Sequence, residues 1–220
     1  MFSSEWEDIY KAAEHLSVWP WSDLVSLFSR TAQEAGPNTR VLEIGCGAGA
    51  NVAFFKSRGV QYYGVDGSPT IIEKLKQTFP DIEDRFHVCD FTESLHFPGP
   101  FDFIIDRGSL THNNDTDIRK TVALAHDALK PGGKLICIDW FSEQHYGATA
   151  GDPLDDPHTR TNISEGALAG TGVVHFADEA NVRDIFRDWT IEYLARKRYD
   201  PVTPDTSHVL AFWNIIAVRP

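Results

Sequence analysis

The most specific chemistry in the chain lies in VLEIGCGAGANVAFF, residues 41–55, where Gly45, Gly47 and Gly49 stand at alternate positions between a short apolar run and a helix-forming stretch. Glycines there let the backbone turn sharply and remove the Cβ that would hold a ligand away. The Gly-x-Gly-x-Gly spacing is one residue shorter than the dinucleotide fingerprint Gly-x-Gly-x-x-Gly, so a pyrophosphate on the helix N-terminus is not the natural ligand. Asp66 follows 21 residues after Gly45. Its carboxylate can accept hydrogen bonds from both hydroxyls of a ribose. Further acidic residues stand at Asp90 in HVCDF and Asp106 in FDFIIDRGSLTH. Each alone also reads as a helix cap or turn former. Together, at the ends of successive strands, they point to one crevice beyond the carboxyl ends of a parallel sheet.

The elements that would position these groups follow from periodicity. Short apolar runs predict strands at 40–44, 61–66, 85–90, 101–106 and 134–141, with helices between them, the pattern of βαβ units in a sheet covered on both faces. Ser68 caps one helix with Pro69 at its first position, and Ile71, Ile72, Leu75 and Phe79 form its apolar face. Ile118, Val122, Ala125 and Leu129 form another face, stopped by Lys130, Pro131, Gly132 and Gly133. Two aromatic-rich helical segments precede the core, one with Trp6, Ile9, Tyr10 and Ala13, the other at 22–35, joined by the Trp19-Pro20-Trp21 corner. A polar, Gly-rich stretch at 142–171 is too long for an ordinary loop and reads as a lid. A helix at 178–187 and two β-rich runs, 190–195 and 208–218, close the chain; with no helix between them, the runs suit an antiparallel pair at a sheet edge.

A chain of 220 residues with 42% hydrophobic content supports one domain. We divide it into an N-terminal helical cap (1–38), a cofactor-binding core (39–141), an acceptor-side lid (142–177) and a C-terminal helix with a β-hairpin (178–220). The net charge of −12 disfavours nucleic acid as a partner. The absence of a long apolar run and the acidic N-terminal segment predict a cytoplasmic protein with no membrane partner. Cys46, Cys89 and Cys137 read as reduced, buried small residues. Arg196, Lys197 and Arg198 read as a solvated strand end.

From 41 to 141 the order of these segments resembles the class I S-adenosylmethionine-dependent methyltransferases. The resemblance implies a Rossmann-like α/β fold with a mostly parallel seven-stranded sheet, helices on both faces and an antiparallel C-terminal pair. It also implies S-adenosyl-L-methionine as cofactor and S-adenosyl-L-homocysteine as product. Carried over by position, Glu43, Gly45, Cys46, Gly47 and Gly49 surround the methionine part. Asp66, followed by Gly67 and Ser68, holds the ribose hydroxyls. Asp90 and the backbone of Phe91 meet the adenine, and the backbone of Asp106 and Arg107 faces the methionine amino group. Tyr10, Trp19 and Trp21 would cover the cofactor, or simply pack the cap onto the sheet. More loosely, WPWSDLV, DRGSLTHNN, IDWFS and AFWNIIA resemble bacterial methyltransferases of surface-polysaccharide or other glycan biosynthesis.

The expected reaction is methylation, on oxygen, of a small-molecule or sugar-type acceptor. A base is then needed, and His112 is the first choice, with Asp139 and His145 as further candidates. His158 and His175 could touch the acceptor or be mobile and solvated. No metal is expected; a magnesium-assisted variant would use Asp106, Asp139 and Asn113 or Asn114. Two other readings share these residues: an NAD-dependent oxidoreductase, which the short glycine spacing disfavours, and an inactive cofactor-binding regulatory module.

Overall fold

Apolar residues alternate along the central strands, and the fold uses both of their faces. The structure, a computed structural model, describes residues 4–203 and 208–220; residues 1–3 of the expected cap and 204–207 of the C-terminal segment lie outside it. In chain order the elements are α1 (Ser4–Lys11), α2 (Ser22–Thr31), β1 (Arg40–Ile44), α3 (Val52–Ser57), β2 (Gln61–Asp66), α4 (Pro69–Thr78), β3 (Phe86–Val88), β4 (Phe101–Arg107), α5 (Asp115–Ala128) and β5 (Leu129–Phe141). The short strands β6 (Asp152–Pro153), β7 (Thr159–Thr161) and β8 (Val174–His175) follow, then α6 (Glu179–Ile185), β9 (Thr190–Tyr199) and β10 (Leu210–Val218).

Seven strands form one sheet in the order β3-β2-β1-β4-β5-β10-β9. The first five run parallel. β10 lies antiparallel between β5 and β9, so the C-terminal pair closes one edge as its spacing predicts. Along β5, Leu135 and Cys137 join one buried cluster with Ile118, Val122 and Trp140. Ile136 and Ile138 join the other, with Phe28, Phe55, Ile71 and Leu75. Alternation at period two thus sends neighbouring residues to opposite layers. Each fully buried Leu or Ile contributes roughly 1.5–3 kcal/mol.

Local caps set the helix starts. The Ser68 hydroxyl accepts from the Ile71 N–H at 3.1 Å and Pro69 opens α4. The Asn114 side chain caps α5 by accepting from the Asp117 N–H at 2.9 Å.

β5 and β9 run longer than expected, β5 starting at Leu129, a residue read as part of the helix face before it. Three further features depart from the sequence reading. β3 is half the expected length, because the chain turns away at Asp90, whose Oδ1 accepts from the Thr92 N–H. The 142–171 stretch carries order of its own. β6, β7 and β8 make a small antiparallel sheet over Ile163, Leu168, Val174 and Phe176; strands of two or three residues are too short for periodicity to reveal. Within it His175 is buried and bonded to Thr159 and Asn181, which makes it structural and not mobile. Finally, Cys89 is only half-buried and its thiol donates to the Ser94 carbonyl. Among the described residues, no helix is long and apolar enough to cross a membrane.

Candidate active site

The Gly-rich loop leaves β1 at the point where two neighbours press against it. Gly45 has φ +64°, and a Cβ there would lie 2.2 Å from Ser109 Cβ, so only glycine fits. Gly47, at φ +49°, sits under the Tyr10 ring, 3.1 Å from its hydroxyl to a would-be Cβ. Beside the loop, Asp66 is 5% exposed. Its Oδ2 accepts from the Gly47 N–H at 3.0 Å and its Oδ1 from the Ser68 N–H at 3.0 Å. A carboxylate oxygen has two acceptor positions. Each oxygen of Asp66 therefore retains capacity for one more donor, the complement of two neighbouring ribose hydroxyls. Glu43, at the end of β1, is locked instead: it accepts from Tyr62 Oη and Asn51 Nδ2, both at 2.7 Å.

Burial pushes Asp66 up to about 6 and Glu43 up to about 7. Only the ionised form of Asp66 accepts from two hydroxyls. Affinity for S-adenosylhomocysteine should therefore be level above about pH 7 and fall as pH drops through 6, by about tenfold per unit below it. Calorimetric titrations between about pH 8 and about pH 5 check this. Asp66→Asn should abolish the dependence and Glu43→Gln should preserve it; a level wild-type profile would remove the assignment to Asp66.

These groups line one cavity of about 460 Å³ beyond the carboxyl ends of the parallel strands, within the roughly 300–1,000 Å³ of small-ligand sites. Asp90 and Phe91 line the same end. The open capacity of Asp66 and the loop under Tyr10 fit the nucleoside and methionine parts of S-adenosylmethionine. Tyr10 and Trp21 stand over that end from the N-terminal cap, whereas Trp19 is 80% exposed and lies outside the cavity.

The far end is built by the turn after β4, the end of β5, the 142–177 segment and β10. His112 sits in a single helical turn, Leu110–His112, with its ring centroid 4.7 Å from that of Trp6 and 5.7 Å from that of Phe141. Its Nδ1 is buried and has no hydrogen-bond partner. The Val173 backbone works against burial to favour a protonated ring nitrogen; with Nδ1 unpartnered, the proton is assigned to Nε2. His145 has the opposite arrangement at Nδ1, which accepts from the Gly147 N–H at 3.1 Å. Burial holds both imidazoles down at about 4, hence neutral at pH 7.

Asp139 lies at the end of β5 with φ +60°, and its N–H donates to Asn214 Oδ1 at 3.1 Å. Its carboxylate pairs with Arg107 Nε at 3.2 Å and with the Lys197 ammonium. Lys197 also reaches Asp23 at 2.5 Å, and the Arg107 guanidinium lies 3.5 Å over the Trp21 ring. Two anions and two cations thus alternate along this wall. Lys197 corrects the solvated reading of the basic cluster: only 25% of its side chain is exposed.

The structure brings together Tyr10, Trp21, Glu43, Gly45, Cys46, Gly47, Asp66, Asp90, Phe91, Arg107, His112, Asp139 and His145 on one cavity. Gly49, Gly67, Ser68 and Asp106 stand off its wall. Gly49 packs under Leu75, and Ser68 serves as the cap of α4 while donating to Glu7. Asp106 corrects the expectation that three strand-end aspartates converge. It is fully buried, and accepts from the Trp140 indole N–H at 2.5 Å and from the backbone N–H groups of Ser109 and Leu110. It shapes the turn that carries Arg107 to His112. That geometry also breaks up the magnesium alternative, since Asp106 is engaged and Asn114 caps α5.

Sequence reading did not assign Trp6, Phe141, Phe212, Asn51, Lys197 or Asn214 to the site. Asn51, eight residues after Glu43, had a local signal as the last residue before α3. Lys197 and Asn214 had none, because they come from β9 and β10, which reach this wall only through the pairing of β10 with β5.

Residues 41–133 match a family profile described as a methyltransferase domain. The chain is 24% identical over 139 residues to the magnesium-protoporphyrin O-methyltransferase of Rhodobacter capsulatus, covering 58% of this chain and 61% of that one. It is 28% identical over 163 residues to the glycine/sarcosine N-methyltransferase of Halorhodospira halochloris, covering 66% and 58%. The chain spans between 48% and 61% of the length of the curated relatives it matches. A solved SAM-dependent methyltransferase from Methanosarcina mazei has the same fold, with a TM-score of 0.68, 18% identity and coverage of 91% of this chain and 98% of that one.

Proposed function

We propose that this chain, which carries a class I methyltransferase domain with S-adenosylmethionine as its cofactor, is an enzyme that methylates an oxygen or nitrogen of a small-molecule acceptor. The observation that carries the reading is Asp66: a buried carboxylate beside a glycine loop, with acceptor capacity open on both oxygens, at one end of a cavity whose other end holds a neutral histidine. When bound, the cofactor supplies an electrophilic methyl and its sulfur keeps the electron pair of the broken bond. The chain's own residues do the rest. Asp66 and the loop fix the nucleoside, and Trp6, Tyr10 and Trp21 keep water out.

The three base candidates separate on hydrogen bonding. His145 already uses Nδ1 to accept from Gly147, so its proton is on Nε2 and it orients an acceptor oxygen by donating. Asp139 is neutralised by Arg107 and Lys197. His112 alone offers an imidazole acceptor nitrogen without a partner. It takes the acceptor's O–H or N–H proton on Nδ1 as the new bond forms.

Isothermal titration of the purified protein tests the reading. S-adenosylhomocysteine should bind in the micromolar range and NAD should not bind. Binding of NAD alone would return the oxidoreductase reading, and failure of both would remove the cofactor site.

A further inference from the structure

We infer that the acceptor end of this cavity takes a flat, uncharged ring system whose edge presents a hydrogen-bond acceptor next to an N–H or O–H, and not a sugar. The inference rests on the methyltransferase reading above and names its substrate class.

The walls supply the first argument. Phe141 is the hub, with centroids 5.7 Å from His112, 5.1 Å from His145 and 5.6 Å from Phe212. Trp6 closes the opposite side against His112 at 76°. Leu168 and Leu210 add to the wall, and two of its polar members, Asn113 and Thr171, donate to backbone carbonyls. Rings and aliphatic carbons contact a planar molecule over its faces, whereas the hydroxyls around a sugar each need a polar partner once buried. Charge gives the second argument. Arg107, Lys197, Asp139 and Asp23 compensate one another, and both histidines are neutral. No net charge remains at this end to pair with a charged acceptor.

The third argument is the polar edge. Four buried side-chain atoms of residues lining this cavity have no hydrogen-bond partner. Arg107 Nε and Asp139 Oδ1 are held in ion pairs, which leaves Trp6 Nε1, which can only donate, and His112 Nδ1, which with its proton on Nε2 can only accept. Their rings are neighbours. Buried groups of this kind cost free energy until paired, and adjacent ones of opposite sense are satisfied together by a C=O beside an N–H or O–H. The same proton is the one His112 would remove. α1 buries none of its residues fully and is held through Glu7, which accepts from Ser68 and Thr70, and through the Tyr10 ring against the core.

The test measures binding to the S-adenosylhomocysteine-saturated protein by tryptophan fluorescence and calorimetry. The probes are 2-quinolone, which is flat with adjacent C=O and N–H; naphthalene, which is flat with no polar edge; and methyl α-glucopyranoside. Saturable 2-quinolone binding, about tenfold or more tighter than naphthalene, is expected from two added hydrogen bonds. His112→Leu and Trp6→Phe should each remove part of the 2-quinolone advantage over naphthalene, and the double variant all of it, while S-adenosylhomocysteine still binds, which shows that the variants fold. Equal binding of 2-quinolone and naphthalene, absence of binding by both, or tighter binding of the glucoside would each overturn the inference with the cofactor reading intact. Failure of S-adenosylhomocysteine to bind the wild-type protein would overturn both.

Discussion

Asp66→Ala raises the Kd for S-adenosylhomocysteine by about a hundredfold or more. The Asp66 Oδ2 holds the Gly47 N–H and its Oδ1 the Ser68 N–H, and the carboxylate keeps room for further donors. Hydrogen bonds to a charged group contribute about 1.5–3 kcal/mol each, so losing two ribose bonds alone amounts to about 3–6 kcal/mol, or a factor of about 10² or more. The alanine also strands the Gly47 and Ser68 N–H groups, which loosens the loop under Tyr10. Asp66→Asn retains an acceptor and the side-chain shape, and should fall between. Calorimetric titration, with thermal melting to confirm that the variants fold, gives the numbers; an Asp66→Ala Kd within about threefold of wild type would sink the assignment of this residue to the cofactor.

His112→Ala lowers turnover by about 10²–10⁴ while S-adenosylhomocysteine still binds within about threefold. General-base catalysis contributes on that order, and of the three candidates only His112 has an imidazole nitrogen left without a partner. On the proposed reading His145, with Nδ1 engaged by the Gly147 N–H, orients the acceptor and removes no proton, so His145→Ala should raise KM more than it lowers kcat. Added imidazole should restore part of the His112→Ala rate, because the truncation leaves space beside Trp6. The pH profile distinguishes the base from the cofactor site: His112, held at about 4, remains competent at pH 5, so activity lost just below pH 6 should track Asp66 and return with saturating cofactor. A His112→Ala rate within about fivefold of wild type would assign proton removal to another group or to water.

Much of the cofactor end was legible in the sequence because its determinants are local. β1 and β2 begin and end where the apolar runs do. The glycines report their own backbone need, and Ser68 with Pro69 announces α4 within three residues. Asp66 is legible because a strand's last residue, in a parallel sheet, must stand at the mouth of the crevice.

The acceptor end resisted the same treatment. Nothing near Lys197 in the chain signals Asp139, its partner across β10. Nothing around Asp106 foretells that the Trp140 indole, 34 residues away, turns its carboxylate from the cavity into the core. His112, Asp139 and His145 looked equivalent as residue types, and only their hydrogen-bond partners separate donor, ion-paired group and base. By itself, then, the sequence determined the sheet, the glycine loop and the strand-end carboxylate that lines the cavity beside it, since short-range backbone geometry and hydrophobic period are written within a few residues. The tertiary structure alone decided which polar atoms are paired and which are left open, because the segments that meet across the cavity lie far apart in the chain, Glu43 of β1 and Phe212 of β10 among them, and the side chains they bring together are chosen by packing and not by sequence spacing.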